Sequence, residues 1–323
     1  MNKISACGLA SLALLLSGGA HAQTYPTKTV RILIGFAAGG SVDLVGRTIA
    51  QKLTTTYGRQ VVVDNRPGAA SHIAGQLATK AEPDGYTLLV SSQGGLGTNL
   101  AIYKQMPYNP LKELTPLALL VRQGQVVLVN PSVPARTIKE LIALAKQKPG
   151  QITFGSAGVG GPLHIAVELF HSLTGTKMTH VVYKGGAPAL IDLLGGQIDV
   201  TFQPIPEALP YLKTNRVRAL AMTGDKRSHV APDVPTVAEA GVPGYAFESW
   251  MGAAGPAGIP RDLAAKISAD INAALKSPDV SARLQEFGLE IAGSTPDELG
   301  AHMRDQVAKM QKLVRDANIP LID

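Results

Sequence analysis

Cysteine is all but missing from this chain. Its one example, Cys7, sits in a leader-like N-terminus, so a chain cut behind that leader has none. Disulfides, thiolate catalysis and cysteine-ligated metals are thereby excluded. Long basic runs are missing too, although Lys and Arg outnumber Asp and Glu by 30 to 24, for a net charge of +6. Nucleic-acid binding asks for a clustered basic patch with aromatics interleaved, and only 5% of the residues are aromatic. No nucleic acid is expected as a partner. Past residue 22 no apolar run reaches the ~20 residues that cross a bilayer. The mild positive balance suits a small anionic ligand and equally suits ordinary proteome basicity.

Several catalytic signatures are absent as well. Gly35 and Gly40-Ser41 echo a phosphate-binding loop without its lysine. Gly-x-Ser-x-Gly does not occur, because Phe154 stands two places before Ser156. The carboxylate pairs Glu239/Glu248 and Asp297/Glu298 fall in loops or helix starts and make no convincing acid–base pair. No catalytic residue, metal or cofactor is expected.

What is present begins with an address. Lys3, the apolar run Leu9–Leu16 and Ala20-His21-Ala22 form a secretory signal peptide over residues 1–22, cut after Ala22, which points to the periplasm. The remaining chain, Gln23 to Asp323, is long enough for two domains.

The stretch from Val30 to Gly58 reads as a β-branched strand, a glycine turn and an amphipathic helix. Gly39 and Gly40 let the backbone come close to whatever lies above the helix start. The unpaired N–H groups and partial positive charge there form an anion seat. Ser41 is placed to cap the helix or to meet a ligand, and Asp43 to hold its first turn. The pattern returns from Gln151 to Gly175, with a glycine loop over 155–161 before a helix that opens at Pro162. Around each unit the order is strand, helix, strand, helix, strand, which predicts parallel sheets with ligands beyond the C-terminal strand ends. Long β segments near 118–128 and 217–224 are expected to cross between two α/β lobes, residues 23–122 with 225–323 and residues 123–224. Helices are expected over about 261–276, 281–287 and 295–318.

Six motifs carry a family resemblance: FAAGGSVDLVGR (36–47), VVVDNRPGAA (61–70), PDGYTLLV (83–90), FGSAGVGGPLHIAVELF (154–170), VVYKGGAPAL (181–190) and RALAMTG (218–224). In order and spacing the chain resembles the Bug/TctC family, periplasmic solute-binding receptors of tripartite tricarboxylate transporters. The resemblance implies an α/β, two-lobed periplasmic-binding-protein (Venus flytrap) fold with two β-strand hinge segments. It also implies a small organic anion held through its carboxylate, transmembrane transporter subunits as partners, and a monomer. The expected ligand contacts are Phe36, Gly39, Gly40, Ser41, Asp43, Ser91, Gln93, Ser156, Ala157, Gly158 and Gln203. Ser156 would donate its hydroxyl, beside the N–H groups of Ala157 and Gly158. The family often has an acid where Gln203 stands, which would receive a ligand ammonium. A neutral amide there favours non-amino carboxylates, dicarboxylic or aromatic. Lys184 is expected in solvent. His164, Glu168 and His171 share a helix face without zincin spacing and are read as packing residues. A solute sensor and a periplasmic enzyme on the same fold stay open as alternatives.

Overall fold

The computed structural model describes residues 25–212, 214, 216–316 and 319–322. The signal peptide and its cleavage point lie outside the described residues.

The first lobe opens with β1 (Val30–Ile34), α1 (Ser41–Tyr57), β2 (Val61–Asn65), α2 (His72–Thr79), β3 (Thr87–Ser92), α3 (Gln93–Leu96), α4 (Pro110–Glu113) and β4 (Leu114–Gln123). The second comprises β5 (Gln125–Val129), α5 (Ile138–Gln147), β6 (Thr153–Ser156), α6 (Pro162–Thr174), β7 (Thr179–Val182), α7 (Gly186–Leu194), β8 (Val200–Pro204), α8 (Ile205–Ala208) and β9 (Arg218–Met222). The chain then returns through β10 (Ser249–Pro256), α9 (Arg261–Lys276), α10 (Pro278–Glu286), β11 (Glu290–Ile291) and α11 (Pro296–Asp316). Two sheets result, ordered β11-β4-β10-β3-β1-β2 and β7-β6-β8-β5-β9.

Both glycine units form as their patterns predict. Strand β1 runs parallel to β2 and β3, and β6 parallel to β7 and β8. Helix α1 starts behind extended Gly40 and ends at left-handed Gly58; α6 starts behind extended Gly161 and ends at left-handed Gly175. A left-handed residue past a helix end costs least as glycine.

The β-rich stretch near 117–130 divides at Gly124 into β4 of the first sheet and β5 of the second. That is the first crossing between lobes. The return crossing falls later than the strand near 217–224. Phe247 N–H donates to Thr223 O, and Val237, Val242, Tyr245 and Phe247 pack in the second lobe's core. Only at Ser249 does the chain enter the first sheet. There β10 lies antiparallel between β3 and β4, a central strand the sequence did not announce. Its Gly, Ala and Pro content reads as loop, yet small residues are what the site accepts: a Cβ at Gly252 would come within 2.9 Å of Leu96. Helix α11 joins the lobes a third time, with Leu299 and Met303 in a first-lobe cluster and Met310 and Val314 in the second-lobe core.

Candidate functional site

The C-terminal ends of β1 and β6 bring the two glycine loops face to face. Ala37 N–H of the first lobe donates to Lys184 O of the second at 3.2 Å, and Tyr103 Oη donates to Val159 O at 2.6 Å. Gly158, at φ +128°, packs on the backbone of Ala70, with no room for a side chain between them.

Between the loops is an inner chamber with largely apolar walls: Phe36, Val42, Ala157, Pro162, Leu163 and Pro204. Its polar lining is Ser41, Ser92, Gln123 and Glu207. Ser92 Oγ and Gln123 Oε1 are buried there without a protein partner, an arrangement that normally marks a site for water or ligand. Gln123 Nε2 donates to Ser41 Oγ at 3.3 Å. The space left inside is about 30 Å³. An outer chamber of about 230 Å³ adjoins it, walled by Gly39, Gly40, Ser41, Asp43, Arg47, Glu207 and Arg283 among others.

The α1 N-terminus holds an anion, and the protein itself supplies it. Ser41 N–H donates to Glu207 Oε1 at 2.7 Å. Glu207 keeps some surface, but protein encloses its carboxylate. That burial raises its pKa to about 7 against the Ser41 and Gln203 hydrogen bonds, which pull it down.

Of the expected contacts, Phe36, Gly40, Ser41 and Ala157 line the inner chamber, and Gly39 and Asp43 line the outer one. Asp43 ties the loop together: it accepts Gly39 N–H, Arg47 Nε and Asn65 Nδ2 at 2.9–3.0 Å. Burial opposes its charge, yet those bonds outweigh it and hold its pKa below the ordinary value.

Five expected contacts stand elsewhere, Gly158 among them, packed on Ala70. Ser91 faces away from the chamber, where its Oγ meets Ser71 Oγ at 2.7 Å. Gln93 is buried at the start of α3, outside the walls of both chambers. Ser156 shares the α6 face of β6 with Phe154. Its Oγ is 2.6 Å from His180 Nε2 and 3.2 Å from Gly158 O, and it accepts Gly158 N–H at 3.3 Å. Gln203 lies fully buried behind Glu207, donating its Nε2 to that carboxylate and accepting Thr201 Oγ1 through Oε1.

Lys184 is exposed. His171 and His164 approach Glu168 at 3.3 and 3.7 Å, and His164 stacks on His180. Among the described residues no group of three or more His, Cys, Asp or Glu is placed to hold a metal ion.

Sequence reasoning missed Ser92, Gln123 and Glu207. Strand period alone selects Ser92 over Ser91, because Ser92 shares the face of Leu88 and Val90 that packs against α1. Glu207 stands four residues after Gln203, so the acid sought at that strand end is present one helical turn later.

Two α/β lobes, crossed by the chain at Gly124 and before Ser249 and facing each other across the helix start that holds Glu207, define the periplasmic-binding-protein class. Within it, residues 45–319 match the model of the "Tripartite tricarboxylate transporter family receptor", and the chain belongs to that family. BugT of Bordetella pertussis is 32% identical over 301 residues, 93% of this chain and 92% of BugT. The structure of R. palustris Rpa4515 with adipate matches with a TM-score of 0.89 at 34% identity, covering 92% of this chain and all of that one. MatC from Rhodopseudomonas palustris with bound malate matches at 0.86 and 30%, covering 90% of this chain and all of MatC.

Proposed function

We propose that the mature chain is a periplasmic receptor that captures an organic carboxylate between its lobes and hands it to the transmembrane subunits of a tripartite tricarboxylate-type transporter. A dicarboxylate or aromatic acid is the favoured ligand. The observation that carries this reading is the Ser41 N–H, which already donates to a carboxylate, that of Glu207, at 2.7 Å at the mouth of an apolar chamber. A helix N-terminus neutralises such a charge without a cationic side chain, and apolar walls set the size of the ligand body. Relatives bound to adipate and to malate support the ligand class. The family description supports the transport role, and the leader-like N-terminus supports the periplasm. Binding without turnover fits the Ser156 hydroxyl, which is fully buried and committed to its own loop and His180. Burial lowers the His180 pKa to about 4, so the ring is neutral at physiological pH.

Calorimetric titration with C4–C6 dicarboxylates, citrate, aromatic acids and amino acids tests the reading. At least one non-amino acid is expected to bind, and Ser92→Ala or Gln123→Ala to weaken it by about 1.5–3 kcal/mol, the scale of one hydrogen bond to a charged group. No binding across the panel contradicts the receptor, and unchanged affinity in both variants moves the ligand out of the inner chamber.

A further inference from the structure

Glu207 stands on α8 in the second lobe and reaches across to the first. Its Oε1 accepts Ser41 N–H at 2.7 Å, and its Oε2 accepts Gln203 Nε2. A Cβ at Gly186, the first residue of α7, would collide with the same carboxylate. The starts of α1 and α7, one from each lobe, therefore meet on one side chain of the protein.

Gly40, Ser41 and Glu207 wall both chambers, so Glu207 is the partition between them. The inner space of about 30 Å³ has room for a few water molecules at most. Ser92 Oγ and Gln123 Oε1, each more than nine-tenths buried and unpartnered, line it. The Glu207 carboxylate fills the place at the Ser41 N–H that an incoming carboxylate would take.

We propose that Glu207 is a built-in stand-in for the ligand carboxylate and the residue that decides which acids bind: an organic anion takes the Ser41 N–H from Glu207, which withdraws toward the outer chamber in its neutral form. This rests on the receptor reading above. Two carboxylates that share one seat cannot both stay charged, so the displaced acid takes up a proton. Burial has already raised its pKa to about 7, which makes that proton available near neutrality. The other titratable groups lining the two chambers are Asp43, Arg47 and Arg283, all in the outer one, and Asp43 is paired with Arg47 at 2.9 Å.

A selection rule follows. A non-amino carboxylate binds with uptake of one proton and weakens as pH rises through 7. An α-amino acid has an ammonium that would pair with ionised Glu207, and it would follow the opposite trend.

The test is calorimetry of the mature protein with adipate and malate as probes, at pH 6 and pH 8, in two buffers of different ionisation enthalpy. Wild type is expected to bind at least one probe about tenfold more weakly at pH 8 than at pH 6, with about one proton taken up at pH 8 and almost none at pH 6. Glu207→Gln is expected to flatten that dependence and abolish the proton uptake. Glu207→Ala replaces it should the glutamine variant melt below wild type at pH 6. Wild-type affinity that is constant or rises from pH 6 to pH 8, or a pH dependence kept in the variants, overturns the stand-in while leaving the receptor intact. Failure of wild type to bind either probe at both pH values overturns the proposal together with the receptor reading for these acids.

Discussion

At the scale of single residues, Asp43 shows how a charge that looks misplaced beside an anion site is made useful. It is 4% exposed, faces inward from the first turn of α1, and is surrounded by three donors from Gly39, Arg47 and Asn65. Its negative charge thereby shapes the loop before the Ser41 N–H that holds the Glu207 carboxylate. Replacing it by Asn is expected to lower stability at pH 7 by about 2 kcal/mol, given that Arg47 is half exposed and its share is screened. The sign with pH follows from the lowered folded pKa. The contribution is complete above the unfolded value near 3.8 and is lost as pH falls through the folded one. Urea denaturation of wild type and Asp43→Asn should differ at pH 7 and converge toward pH 2. A constant gap would contradict the assignment. This residue was legible in the sequence because helix-start chemistry is local. Glu207 was not, since nothing local shows that a short helix in one lobe ends up over a helix start 166 positions away in the other.

At the scale of elements, the two strand–glycine–helix units were readable because the 2-residue and 3.6-residue periods, the glycines and Pro162 all agree. Strand β10 was not, because packing against neighbours, rather than propensity, selects its small residues. Another element hidden from the sequence is the turn Ala69–Ser71, where three successive non-glycine residues have φ of 45°, 49° and 79°. Left-handed backbone costs such residues roughly 1–3 kcal/mol each and persists where surrounding structure enforces it. Here the enforcement comes from both lobes. Ala70 packs beneath Gly158, and a Cβ on Gly35 would collide with Ser71. Ala69 is exposed, so glycine there relieves strain without losing packing. Ala69→Gly is expected to stabilise the fold by about 0.5–1 kcal/mol after the extra chain entropy of glycine is paid. A lower melting temperature in that variant would show the left-handed turn to be unstrained.

At the scale of the whole molecule, the lobes are joined at Gly124, before Ser249 and through α11, and their facing loops are hydrogen-bonded across the cleft. Two lobes and the first crossing, at Gly124, were legible from the repeated βαβαβ order; the return crossing, expected near 217–224, falls before Ser249 instead. The third connection was not, because the apolar face of α11 reads as one continuous stripe although its two ends serve different cores. The facing loops already touch and the inner chamber leaves about 30 Å³; a carboxylate held between the lobes is expected to enter as they part and to be enclosed as they close, as hinge-linked domains do. The most direct measurement is small-angle scattering of the mature protein with and without a saturating carboxylate identified by titration. A smaller radius of gyration with ligand is the expected result. Superimposable curves with ligand bound would contradict closure of the two lobes on a carboxylate.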